Sequence, residues 1–213
     1  MKEKLFSVFS VCLIATGCAG RVEYSPPIQE NQVSNSAVIN KPREEVWKDS
    51  IPKLGKSFFV INNIDRSSGL INISYSADPE KYINCGQVTS YVKNAQGERT
   101  YRFPGARSSQ RYEIMNSGSL YYINRSMNLD GRVNIIYEEI TPDTTKVTAN
   151  THYVVKRDIN VTAAANNMSQ SASETINFGS GGSASFPPSQ NGQATTCVPN
   201  GALEEEILAT IRE

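Results

Sequence analysis

After Gly55 the apolar pattern of this chain switches to a period of two, clearest in Leu70 to Ser76, Leu120 to Ile140 and Val147 to Val155. A period of two admits one backbone state, the extended strand whose side chains alternate between two faces. Phe58 to Ile64 is an apolar run that reads as a buried strand, and Asp65-Arg66-Ser67-Ser68-Gly69 is turn chemistry. Leu70 to Ser76 then sets Ile71, Ile73 and Tyr75 against Asn72, Ser74 and Ser76, a hairpin arm with one wet face. Shorter strands are expected around Gln87 to Tyr91 and Arg99 to Phe103. Leu120 to Ile140 places Tyr121, Ile123 and Met127 on the same face as Val133, Ile135 and Tyr137. This segment reads as a hairpin, and that parity requires a three-residue loop, Leu129-Asp130-Gly131, with Gly131 in the left-handed conformation of a bulge. Pro142-Asp143 makes the next turn. Val147, Ala149, Tyr153 and Val155 continue the alternation, with the single histidine, His152, on the polar face.

Two segments carry the helical period instead. Pro42 suits a first helical position, Glu44 and Glu45 suit the positive end of the helix dipole, and Trp47, Ile51 and Leu54 follow at i, i+4 and i+7. Pro52 is expected to kink or shorten the last turn, and Gly55 to end it. At the other end, Leu203, Ile207, Leu208 and Ile211 stripe a helix over Ala202 to Arg212, with Glu204 to Glu206 in its first turn. The expected fold class is therefore α+β, an antiparallel sheet packed against an N-terminal and a C-terminal helix. Between about 163 and 196 there is no Lys or Arg, one acid (Glu174), and a dense mixture of Ser, Gly, Asn, Gln, Ala and Pro. That composition predicts a polar loop with at most a strand near Ile176. Gly179 to Gly182 lacks the lysine and the strand-to-helix context of a phosphate cradle.

The N-terminus has a different character. Lys2 and Lys4 precede an apolar stretch from Leu5 to Ala15, too short to span a ~30 Å hydrocarbon core, followed by small residues. Residues 1–17 read as an export signal. Ala15-Thr16-Gly17-Cys18 resembles the lipobox of bacterial lipoproteins, although Ala15 stands where leucine is usual. The resemblance implies cleavage before Cys18, acylation of Cys18, and attachment to a bilayer through its lipid. With Ala19 next, it further implies the outer membrane of a Gram-negative bacterium, on the periplasmic side. An ordinary secretory signal that leaves Cys18 a plain thiol is the alternative. Residues 18–35, with Pro26-Pro27 and scattered Gln and Asn, read as the lipidated cysteine and a flexible tether. Residues 36–213 then form a single α+β domain.

Of the four cysteines, Cys12 lies in the signal and Cys18 carries the lipid, which leaves Cys85 and Cys197. In an exported chain such a pair is most simply a disulfide. A metal site is the rival, weakened by two isolated cysteines, a single histidine and no Cys-x-x-Cys pair.

Lys+Arg and Asp+Glu are both 21, so no basic excess exists to bind a phosphate backbone and nucleic acid is not expected as a partner. No cofactor is expected. A lone histidine on a solvent-facing strand offers no nucleophile–base pair, and Asp65, Asp130 and Asp143 are accounted for by turns, so an enzyme is not expected. Pro42-Arg43-Glu44-Glu45-Val46-Trp47, the Ser57 to Tyr75 hairpin and the closing helix resemble the helix-grip arrangement of the BamC family, accessory lipoproteins of the outer-membrane β-barrel assembly machine. The resemblance implies a structural or assembly role exercised through envelope protein partners. The alternative is a periplasmic carrier holding a small apolar ligand in a helix-grip pocket.

Overall fold

The computed structural model describes residues 19–28, 34–188 and 193–213, so Cys18 and the leader lie outside the described residues. In chain order the elements begin with β1 (Ala19–Ser25), β2 (Ser36–Ile39), α1 (Arg43–Lys56), β3 (Val60–Asp65) and β4 (Leu70–Ala77). A single turn, α2 (Pro79–Tyr82), leads to β5 (Ile83–Asn84), β6 (Gln87–Asn94), β7 (Gly97–Pro104) and β8 (Ser109–Asn116). Two long strands follow, β9 (Ser119–Thr141) and β10 (Thr144–Ala163), and then β11 (Ser169–Gly179), β12 (Ala184–Phe186), β13 (Thr195–Pro199) and α3 (Ala202–Arg212). Strands hold 61% of the described residues and helices 16%, which makes the protein a mostly antiparallel sheet structure with few helices.

β9 and β10 form one ribbon, joined by the expected Pro142-Asp143 turn and paired from Thr144↔Thr141 to Ala163↔Tyr121. Its contour is roughly 70–75 Å at ~3.3 Å per residue. Every odd position of β9 from Ile123 to Tyr137 is buried, without a change of phase. The expected hairpin over Leu120 to Ile140 is therefore corrected: Leu129-Asp130-Gly131 is the middle of a strand. A continuous strand satisfies the same parity that a three-residue loop would, and it keeps the whole backbone ladder. Gly131 is there for space. A methyl group on it would lie 2.6 Å from the Tyr75 hydroxyl and overlap the His152 carbonyl oxygen.

Around this ribbon the sheet differs at its two ends. Near the Pro142 turn the order is β2-β10-β9-β4-β3; at the far end β11 and β8 flank the ribbon as β11-β10-β9-β8. One face is covered along its length. At the first end α1 and α3 pack on each other and on β9 and β10, burying Val46, Trp47 and Leu54 of α1 with Leu203, Ile207 and Ile211 of α3. Trp47 sits edge-on to Tyr137, ring centroids 5.2 Å apart. Pro52 is exposed within α1, which continues to Lys56, one residue beyond the expected stop at Gly55. At the other end the three-stranded sheet β1-β6-β7 lies against β8 and covers Ile123 and Arg125. The opposite face of the ribbon, carrying the even positions of β9, stays open.

Three expectations change. Residues 19–25 of the supposed tether are β1, paired with β6 from Ala19↔Lys93 to Ser25↔Gln87, so the folded part begins well before residue 36. Its side chains are mostly exposed; backbone bonds, which composition does not report, hold it. The supposed polar loop over 163–196 contains β11 and β12. β11 is polar because it is an edge strand with few buried side chains, Ile176 and Phe178 being the inward pair. The apolar run Phe58 to Ile64 is also an edge: Phe58, Val60 and Ile64 are exposed. Cys85 and Cys197 are disulfide-bonded, both buried, where β13 pairs with β5.

Candidate functional site

The open face of the ribbon is the candidate site, because alternation sends mostly polar side chains outward at every second residue and no described element covers them. Cross-strand register converts these positions into rows. One row runs Ser74, Arg132, His152 across β4, β9 and β10, and the next runs Ser76, Asp130, Val154. With Phe58 and Val60 from the β3 edge they line an open groove of about 760 Å³. It joins a cation, a carboxylate, an imidazole and two exposed apolar side chains.

Beside it lies a row of amides. Asn62 donates to Asn72 Oδ1 at 3.0 Å, Asn72 donates to Asn134 Oδ1 at 2.6 Å, and from the other edge Asn35 donates to Asn150 Oδ1 at 3.0 Å. Asn134 and Asn150 face each other across the ladder. Asn62 reaches this row because the β3 register shifts between Ile61 and Asn63. Farther along, Arg111, Asn124, Asn160 and Ser126 border a second hollow of about 460 Å³ with Asp158, whose carboxyl is held below its usual range by the Ser173 hydroxyl and by Lys156. Such a surface offers amide and hydroxyl donors and acceptors over a long, shallow area. It is suited to contact rather than to enclosing a small substrate.

The covered face holds three buried charges that sequence reasoning missed. Glu204, 3% exposed in the first turn of α3, accepts hydrogen bonds from Tyr153 Oη at 2.7 and 2.8 Å and from Ser180 Oγ at 2.7 Å. Burial, and then the nearby carboxylate, push the Tyr153 phenol far above its ordinary range, so it remains a donor. Glu206, two residues on, accepts from Tyr82 and pairs with Lys81 at 2.9 Å. The run of three glutamates reads in sequence as dipole chemistry alone; which of them turns inward depends on where α3 lands.

Arg157 on β10 is buried against Glu174 of β11, its guanidinium 4.2 Å above the Phe186 ring. Arg125 on β9 has carbonyls for partners, donating to Gly105 O at 2.9 Å and stacking 5.1 Å over Phe103. Burial lowers its pKa to about 10. Both arginines occupy odd positions, where alternation predicts apolar residues, and both tie a covering element to the ribbon.

Of the residues singled out from sequence, Cys85 and Cys197 meet as a bonded pair, His152 is on the open face, and Cys18 lies outside the described residues. Among the described residues no helix is long and apolar enough to cross a membrane, and no three His, Cys, Asp or Glu group as metal ligands. No protein-family model, curated protein or solved structure matches the chain.

Proposed function

We propose that this chain is a lipoprotein anchored through acylated Cys18 to the periplasmic side of an outer membrane, and that it serves envelope structure or assembly through protein contacts made by the open ribbon face. The observation that carries the reading is the leader: a basic start, an apolar stretch and Ala15-Thr16-Gly17-Cys18. The Cys85–Cys197 disulfide supports export, because such bonds persist in oxidising compartments. α1 and α3 lying together on the ribbon support a helix-grip relationship of the BamC kind. A contact role draws support from the long row of amides and the groove at Arg132 and His152, which form a broad, shallow polar surface.

The carrier reading has less behind it. A ligand would need room between the helices and the sheet, and there Trp47, Leu54, Tyr153, Leu203 and Ile207 are 5% exposed or less and fill the space. The test is labelled-palmitate incorporation with membrane fractionation, for the wild type and for Cys18→Ala, followed by crosslinking. Label on the wild type, its loss in Cys18→Ala, and a reproducible envelope partner lost on Arg132→Glu are expected. An unlabelled, soluble wild type would overturn the anchor; a labelled protein that never captures a partner would overturn the contact role.

A further inference from the structure

We infer that the end of the ribbon remote from the helices is a surface that rests directly on a lipid bilayer. This deepens the anchored reading and takes from it the identity of the membrane-seeking group at Cys18.

The described chain enters at that end. Ala19 is already in the ladder opposite Lys93, and Gly20 lies so close to Met115 that a methyl group on it would be 3.0 Å from Met115 Cγ. Three turns gather there: Asn94 to Gly97 between β6 and β7, Ser117-Gly118 between β8 and β9, and Ala163 to Met168 between β10 and β11. The Ala164 N–H donates to Leu120 O at 3.0 Å, joining the last two. Cys18 precedes Ala19 by one peptide unit, about 3.8 Å between Cα atoms. With β1 starting at Ala19 there is no slack for the body to stand clear, so an anchor at Cys18 brings this end to the headgroups.

The chemistry of the end suits that position. From Ile114 to Asn124 and from Ile159 to Ser173 there is no charged residue, 26 positions in which a 20% charged chain would place about five. The charges nearest to Ala19 are paired, Lys93 with Glu98 at 2.6 Å and Arg21 with Glu23 at 3.0 Å. Charged groups pressed against a bilayer lose hydration at a cost; neutral amides and hydroxyls lose less. Tyr122 at 42% and Met168 at 71% exposure supply the amphipathic ring and the apolar chain that favour an interface. The occupant is a bilayer rather than a protein because the acyl chains that the lipobox-like leader implies on Cys18 lead directly into this end.

The test places a tryptophan at either end of the full-length chain, Ala165→Trp at the neutral end or Asp143→Trp at the far turn, both positions being exposed. Each protein is purified from membranes, its mass read for acylation, and reconstituted into phosphatidylcholine vesicles with brominated chains. If the mass shows no acyl group, the Cys18 thiol is coupled to a maleimide phospholipid in the same vesicles. Bromine quenches indole emission only at short range, so Ala165→Trp is expected to lose emission about twofold, while Asp143→Trp loses none and the buried Trp47 supplies a constant background. Equal emission in brominated and ordinary vesicles for Ala165→Trp, or quenching of Asp143→Trp, overturns the inference. Absence of acylation by mass overturns the lipoprotein reading alone, and the coupled protein still decides the orientation.

Discussion

At the scale of residues, the molecule separates polar groups by whether water or protein satisfies them. Glu204 is buried with a bifurcated hydrogen bond from the Tyr153 hydroxyl and another from Ser180, whereas Asp65 is half-exposed and organises the β3–β4 turn. The Asp65 carboxylate accepts from the hydroxyls of Ser67 at 2.6 Å and Ser68 at 2.8 Å and from their N–H groups. These bonds favour its charged form and hold its pKa down to about 2. A folded pKa below the unfolded value of 3.8 means that the unfolded chain takes up the proton first. The turn's contribution is therefore complete above about pH 4 and is lost as pH falls toward 2. Asp65→Asn keeps the shape and removes the charge. Its melting temperature should change less steeply than that of the wild type between pH 5 and 2, and parallel curves would show that the turn carries no linked proton.

At the scale of elements, the decisive object is β9, because its length makes both ends of the sheet one structure. The strand passes through Gly131, where Tyr75 leaves no room for a side chain. Gly131→Val forces Tyr75 and the neighbouring β10 backbone apart at the middle of the ribbon. Overpacking of this kind costs about 1–3 kcal/mol, so the urea midpoint should fall with little change in slope. An unchanged midpoint would mean that the ribbon bends freely there. The alternation of β9 was legible in the sequence; its continuity was not. Asp130-Gly131 has turn composition, and a strand and a three-residue hairpin obey the same parity. The β3–β4 hairpin was legible because Asp65 to Gly69 is local chemistry, and both helices were legible because their apolar stripes repeat at 3.6 residues. β1 was not, and of β11 only the stretch near Ile176 was. An edge strand is held by backbone bonds to a partner far along the chain, and its side chains remain free to look like a tether or a loop.

At the scale of the whole molecule, the disulfide is the covalent link between remote parts of the chain. Cys85 and Cys197 are 112 residues apart, and together with β5 and β13 they bring the segment before α3 to the segment before β6. Tyr24 adds to this closure: its hydroxyl donates to Thr196 O at 3.0 Å and accepts from Thr196 N–H at 2.9 Å, fastening β1 beside Cys197. Chain entropy assigns about 4–5 kcal/mol to closing a loop of this length, with 2–4 kcal/mol more usual. The double change Cys85→Ala and Cys197→Ala should lower stability by about that amount in denaturant, and reducing agent should do the same to the wild type but not to the double variant. Equal stability with and without reductant would show that the link is dispensable. The sequence alone determined the strand-forming period, the two amphipathic helices and the lipobox-like leader, because each depends on spacing or on neighbours within a few residues, while the cysteine pair followed from counting the cysteines left after the leader. The tertiary structure alone decided that β9 runs unbroken, that Glu204 is the glutamate of three that turns inward, that residues 19–25 are a strand and the strand near Ile176 extends over 169–179, and that the neutral turns gather where the described chain enters. Those outcomes depend on which distant segment supplies the missing hydrogen bonds and excludes the water, and no local window of residues contains that partner.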